Sequence, residues 1–136
     1  DRLNLLADTY LSVNTPVQVG LPRLLELRIG LQDQIGDRIE TNRQVLKNHV
    51  EATSDVKLLS TDHGWYGVLQ VPADLDEEAF VLGLLAKHHV QIHPGYFYDF
   101  SVGSHLVLSL LPSKATFSDG VERIFDHLQS LTQKPF

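Results

Sequence analysis

The run Trp65-Tyr66-Gly67-Val68-Leu69-Gln70-Val71-Pro72 decides how the rest of the chain is read. Its aromatic and β-branched residues fit a pleated strand, and Pro72, with no amide to donate, stops it. Upstream, Val56-Lys57-Leu58-Leu59 reads as a shorter strand, and residues 60–64 as a turn-rich loop. Downstream, a helix is expected over residues 76–89. Asp76, Glu77 and Glu78 fall in its first turn, and Lys87, His88 and His89 in its last, each set complementing the helix dipole. Val90-Gln91-Ile92 reads as a short strand running into the breaker Pro94-Gly95. An aromatic loop, Tyr96-Phe97-Tyr98-Asp99-Phe100, follows, and residues 105–111 form an apolar strand. Thr116-Phe117-Ser118-Asp119 resembles a capping box, after which Phe117, Val121, Ile124, Leu128 and Leu131 recur at helical spacing.

On the other side of the opening strand, residues 1–18 read as a polar, proline-bearing loop between short apolar pieces. Pro16 disfavours helix at Thr15. A short helix is expected over 17–29, capped at Gly30, and a longer one over 31–50. Leu31, Ile35, Ile39, Asn42, Leu46 and Val50 fall three or four apart and predict one buried stripe with a single polar member. Asp33, Asp37, Glu40, Arg43, Lys47 and Glu51 form the solvated face. The order helix, strand, strand, helix, strand, strand, helix predicts an α+β fold (an α/β sandwich), a small, mainly antiparallel sheet covered by helices. Residues 1–136 are expected to form a single domain, without internal repeat or low-complexity tract.

With 11 basic and 17 acidic residues the net charge is −6, so nucleic acid or an anionic membrane would be approached against that field, and neither is expected as a partner. No apolar run is long enough to suggest a membrane span. No Cys is present, which removes disulfides, thiolate metal sites and a cysteine nucleophile. A cytoplasmic setting is expected. The chain begins at Asp1 without an initiator Met or signal sequence, which suggests a boundary inside a longer polypeptide.

The segment Ala7-Asp8-Thr9-Tyr10-Leu11-Ser12-Val13-Asn14-Thr15-Pro16-Val17-Gln18 resembles the one that opens the C-terminal part of class I/II aminotransferases, pyridoxal-phosphate enzymes of fold type I. The resemblance continues in order through Gln34-Ile35, Arg38 and Asn42, then Gly64-Trp65-Tyr66 with Val68-Leu69. It continues through Pro94-Gly95-Tyr96-Phe97 with Asp99-Phe100, and ends on Leu106 to Leu111 and the closing helix. It implies the C-terminal small domain of such an enzyme, with residues 1–18 an opening segment and loop and 19–136 the small domain. The parent would move an amino group between an amino acid and a 2-oxo acid, as a homodimer with an N-terminal large domain. Its cofactor, pyridoxal phosphate, supplies an electron sink while protein groups orient the substrate. The resemblance puts the Schiff-base lysine upstream of this chain. No catalytic residue is therefore expected here, no cofactor is expected bound to this piece, and the piece alone is expected to be inactive. Lys114 follows Pro112-Ser113, an echo of the family's serine-rich lysine stretch, but it reads better as a solvated loop lysine.

By the same resemblance, Asn14 and Thr15 reach toward the partner subunit's cofactor phosphate, where small polar groups and free amides bind anions. The plainer reading is turn chemistry before a helix. Gly64 and Trp65 would border the substrate pocket, glycine permitting close backbone approach. The plainer reading is a turn followed by a core tryptophan. Many family members carry an arginine that grips the substrate carboxylate on the strand before the last helix, and the register places Val107 there. Arg123, on the outer face of the final helix, is a poor substitute. His88, His89 and His93 are too differently directed to suggest zinc, and no metal is expected. His105 reads as surface or strand-edge. The alternatives are a stand-alone α+β binding or regulatory module, or a lyase or decarboxylase of the same fold.

Overall fold

The computed structural model describes residues 2–10, 13–60, 63–100 and 102–132; the expectations for Ser12, for positions 61 and 62 of the loop and for Lys134 lie outside these. The elements are α1 (Arg2–Tyr10), α2 (Thr15–Glu51), β1 (Lys57–Leu58), β2 (Tyr66–Val71), α3 (Glu77–His88), β3 (His93–Pro94), a 3-10 turn (Gly95–Tyr98), β4 (Ser104–Ser109) and α4 (Lys114–Thr132). Two compact units result, Asp1–Gln34 and Ile35–Phe136.

In the second unit the sheet order is β1-β2-β4-β3, with every pairing antiparallel. The predicted α+β class holds. β2 and β3 both lie antiparallel to β4 and so run parallel to each other, with α3 crossing between them, a split β-α-β arrangement. Register alternation sorts the side chains. Leu58, Leu69, Val71, Leu106 and Leu108 share one face with Gly67. That face forms the core with Leu46 of α2, Phe80 and Leu84 of α3, and Phe117, Val121, Ile124, Phe125 and Leu128 of α4. Gly67 is where α2 comes nearest: a Cβ there would stand 2.8 Å from Leu46 Cδ2.

Asn42, the polar member of the predicted stripe, is fully buried. Its Nδ2 donates to the carbonyls of Leu110 and Pro112, both at 2.9 Å, where the chain leaves β4. One amide thus satisfies two acceptors that no strand partner reaches. Leu46 is buried as expected, but Leu31 and Ile35 are exposed.

Several boundaries differ from the sequence expectation. Residues 2–10 are helical, and α2 runs unbroken through Gly30. A mid-helix glycine costs only about 1 kcal/mol, too little to end a helix of this length. Thr15 is helical despite Pro16. Asn14 Oδ1 accepts from Val17 N at 3.1 Å, so the proline falls in the capped first turn, where its missing N–H is no loss. Pro22 lies deeper in the same helix, at a position whose N–H would otherwise serve Gln18.

The strand expected at 90–92 forms at His93–Pro94 instead. Pro94 is tolerated because β3 is an edge strand. α4 begins before the predicted capping box: Ser113 Oγ accepts from Thr116 N at 3.3 Å, placing Thr116 in the first turn. Leu131, expected in the buried stripe, is exposed near the helix end. Arg123 is not merely an outer-face residue, since it pairs with Asp119 at 2.8 Å and donates to the His88 carbonyl at 3.0 Å, tying α4 to the end of α3. No helix among the described residues is long and apolar enough to cross a membrane.

The α3–α4 seam contains a titratable group. His127 is buried, with its ring 4.9 Å from the rings of both Phe80 and His88. Gly83 permits this, since a Cβ there would lie 3.1 Å from His127 Nε2. Burial, then the charges of His88 and Lys87, hold His127 below the ordinary histidine value of 6.5. The unfolded chain therefore binds the proton more readily than the folded one. The contribution to stability is present above about pH 6.5 and is lost as pH falls through the lower folded value. Urea melts at pH 7.5 and 5.5 should show the wild type losing more stability on acidification than His127→Leu. Leu106→Ala, at a fully buried site, should cost about 2–5 kcal/mol in the same melts.

Candidate functional site

Among the described residues, the core cluster draws on the first face of the sheet and takes no side chain from the second. Tyr66, Val68 and Gln70 of β2, His105, Val107 and Ser109 of β4, and His93 of β3 share this face by register. What covers part of it is the aromatic segment after β3. The chain turns at Pro94-Gly95 into the 3-10 turn and leaves it at Asp99, whose φ is 54°. Phe100 then stacks on His105, with ring centroids 4.3 Å apart and 18° between planes.

The segment is held by Glu77, the first residue of α3. Its Oε2 accepts from Tyr96 N at 2.9 Å and its Oε1 from His105 N at 2.5 Å. A charged acceptor on two backbone amides is stronger than a neutral pair. Gly95 makes the approach possible, because a Cβ there would stand 2.6 Å from His105 Cβ and 2.9 Å from its carbonyl oxygen. Sequence reasoning assigned Glu77 only a helix-dipole role and missed this bridge.

Around this frame lies a chain of rings. His93 Nδ1 lies 2.7 Å from the Tyr98 hydroxyl, and the two rings stack with centroids 6.1 Å apart. Tyr98 meets Tyr66 edge-on at 6.2 Å, and Tyr66 meets Trp65 at 6.3 Å. Desolvation first, and then the charge and hydrogen bond of Tyr66, raise the Tyr98 phenol above its ordinary value of 10. Trp65, Tyr66, Tyr96, Phe97 and Tyr98 are all at least 40% exposed, so these rings form a surface that solvent reaches.

The candidates from sequence fall as follows. Gly64 has φ 103°, a conformation that favours glycine, and its carbonyl accepts from Arg43 Nη2 at 3.5 Å. Trp65 is 52% exposed and is not the core tryptophan of the plainer reading. Its carbonyl accepts from Leu110 N at 2.7 Å, which fixes the turn while leaving the indole outside. Asn14 caps α2 with its side chain, and Thr15 is the first helical residue. These two belong to the first unit, and Gly64 and Trp65 to the second.

Val107 is buried on β4, opposite Val68 and His93 in register. His105, expected at the surface, is instead 4% exposed because β4 is an inner strand and Phe100 covers its ring. Its Nδ1 has no hydrogen-bond partner. His88 packs on His127, His89 is the left-handed cap of α3, and His93 joins Tyr98, so the histidine run is divided among three tasks. Among the described residues no group of three His, Cys, Asp or Glu side chains could hold a metal ion.

A Schiff-base lysine works best where desolvation favours its neutral amine. Lys47, Lys57, Lys87 and Lys114 are all exposed, so the described residues do not fit covalent attachment of an aldehyde cofactor. A cavity of about 340 Å³ beside the aromatic segment is lined by Asp76, Glu77, Glu78, Tyr96, Phe100 and Gly103. Its three carboxylates oppose a phosphate or a carboxylate ligand there. The exposed ring surface, not this cavity, is the candidate site.

Glu77→Ala should release the aromatic segment. Amide exchange at Tyr96 and His105 is expected to quicken together, with a loss of about 1–3 kcal/mol in global stability, while exchange in the β1–β2 ladder changes no more than that global loss requires.

No protein-family model and no curated protein sequence matches the chain. Solved structures do. An aminotransferase from Silicibacter pomeroyi, itself assigned provisionally, is 23% identical with a TM-score of 0.76, over 93% of this chain and 35% of that one. Aspartate aminotransferase from Thermotoga maritima is 21% identical with a TM-score of 0.73, over 93% and 32%. A PLP-dependent aminotransferase from Streptococcus suis is 20% identical with a TM-score of 0.70, over 87% and 30%. This chain therefore spans about a third of the length of the enzymes it matches. The helix-covered antiparallel sheet has the fold of one part of the fold type I pyridoxal-phosphate-dependent aminotransferases.

Proposed function

We propose that the chain is the C-terminal small domain of an aminotransferase that moves an amino group between an amino acid and a 2-oxo acid. Residues 1–18 are its opening segment and 19–136 its small domain. The observation that carries this reading is the coverage: 93% of the chain superposes on two separate aminotransferases, while accounting for only about a third of either. The remaining length supplies, in this reading, the large domain, the Schiff-base lysine and most of a homodimer interface. The cytoplasm is its proposed setting.

Pyridoxal phosphate, bound in the parent, would supply an electron sink for chemistry at the amino-acid carbon. The exposed lysines here favour attachment elsewhere, so this chain contributes walls and orientation. Gly64 and Trp65 are proposed to border the substrate: the glycine carbonyl is held by Arg43 and the indole stands half in solvent. Asn14 and Thr15 are proposed to face the partner subunit's cofactor phosphate. Support comes from the α2 N-terminus, whose first-turn amides carry a partial positive charge, although Asn14 Oδ1 is already engaged by Val17 N.

Titrating the 136-residue chain with pyridoxal phosphate tests the division of labour. The expected result is slow, non-saturating labelling of several lysines, without a defined aldimine band. A saturable one-to-one aldimine absorbance abolished by changing one lysine would show that this chain holds the cofactor by itself and would overturn the reading.

A further inference from the structure

Resting on the reading above, we propose that His93, held in place by Tyr98, recognises the substrate carboxylate, and that the substrate is an aromatic 2-oxo acid or its amino acid. The argument begins with register. His93 stands opposite Val107 across β3 and β4, so both side chains belong to the same ring-lined face. Val107 is buried and apolar and offers an anion nothing. His93 brings a ring nitrogen able to donate a hydrogen bond to that neighbourhood.

Its ring is held by two neighbouring rings and one hydrogen bond. Nδ1 engages the Tyr98 hydroxyl at 2.7 Å, Tyr98 stacks on one side of the ring and Phe97 packs 5.7 Å away. Tyr98 in turn meets Tyr66 edge-on, with ring centroids 6.2 Å apart. The second nitrogen, Nε2, has no hydrogen-bond partner among the described residues. When Nδ1 accepts the Tyr98 hydroxyl proton, the ring carries its own proton on Nε2, which is left to donate to a carboxylate oxygen.

The other basic groups of this part of the sheet are differently occupied. His105 lies under Phe100, Lys57 is on the outer strand β1, and Arg43 reaches the Gly64 carbonyl. The class of side chain follows from the rings themselves. Trp65, Tyr66 and Phe97 are between 41% and 60% exposed, and such surfaces favour a planar aromatic group by offset or edge contacts.

The test compares phenylpyruvate with phenylacetone, which has the same aromatic and ketone groups but a methyl in place of the carboxylate. Binding to the 136-residue chain is followed by NMR of the histidine and aromatic ring signals. Phenylpyruvate is expected to shift the His93 and Tyr98 signals and to bind at least about tenfold more tightly than phenylacetone, a difference of about one charge-assisted hydrogen bond. His93→Gln should bring the two affinities together while Trp65 still responds to both ligands. Tyr98→Phe keeps the ring and loses the tether, and should shrink the preference without weakening phenylacetone. The amide spectrum of each variant checks the fold. Equal affinities in the wild type, a preference that survives His93→Gln, unmoved His93 signals or no binding of either compound would each overturn the assignment. Equal affinities with shifts confined to Trp65 remove His93 alone and leave the aminotransferase reading standing. A stoichiometric aldimine in the cofactor titration removes that reading instead.

Discussion

The carboxylate of Glu77 is the contact on which the ring-lined face depends. It reaches from the first turn of α3 to two backbone amides, one in the aromatic segment and one in the inner strand β4. A lone carboxylate near a helix N-terminus gains a few tenths of a kcal/mol to about 1 from the dipole. Here the same residue also joins three elements. Three features make this possible together: Asp76 caps the helix through Ala79 N, Gly95 carries no side chain, and β3 is short enough for Pro94 to lie at its edge. Without the bridge, the rings from Tyr96 to Phe100 would lose the support that turns them toward the sheet.

The two faces of the sheet have opposite chemistry for a simple reason. One face meets α2, α3 and α4 and is filled by Leu, Val, Ile and Phe, with Asn42 closing off the carbonyls at the end of β4. On the other face the exposed rings gather around the segment from Tyr96 to Phe100, while the buried His105 Nδ1 has no partner. There His93 pairs with the Tyr98 hydroxyl, and Tyr98 meets Tyr66 edge-on. Rigid backing behind a wet, aromatic front is what a substrate wall requires, since the groups are fixed by neighbours and not by the ligand. The first unit differs in kind. Leu3, Leu5, Leu6, Val19, Leu24 and Ile29 are each more than half exposed along its two helices. Helices gain most of their stability from packing an apolar face. That unit therefore gains little stability from burying these side chains within the chain.

Local chemistry alone determined much of the chain. The helix at 77–88 and its charge pattern follow from Asp76-Glu77-Glu78 and Lys87-His88, because dipole effects act within one turn, whereas Asp76 and His89, read as helical, turn out to be its caps. The strands at 66–71 and 104–109 follow from their apolar and β-branched content, and the α+β class from the order of elements. The resemblance in the segments from Asp8 to Phe100 was also legible, being written in residue identities. Tertiary structure decided the rest. Whether Leu31 and Ile35 are buried, and whether β3 falls at 90–92 or at 93–94, depend on what lies alongside, and spacing within one segment carries no such information. His105 reads like an edge residue until β3 is seen pairing outside it. The site itself is of this second kind: Glu77 and Tyr96 are 19 residues apart, Glu77 and His105 are 28 apart, and His93 meets Val107 only through strand register. Hydrogen bonds and register are set where separate segments meet, and folding alone brings those segments together.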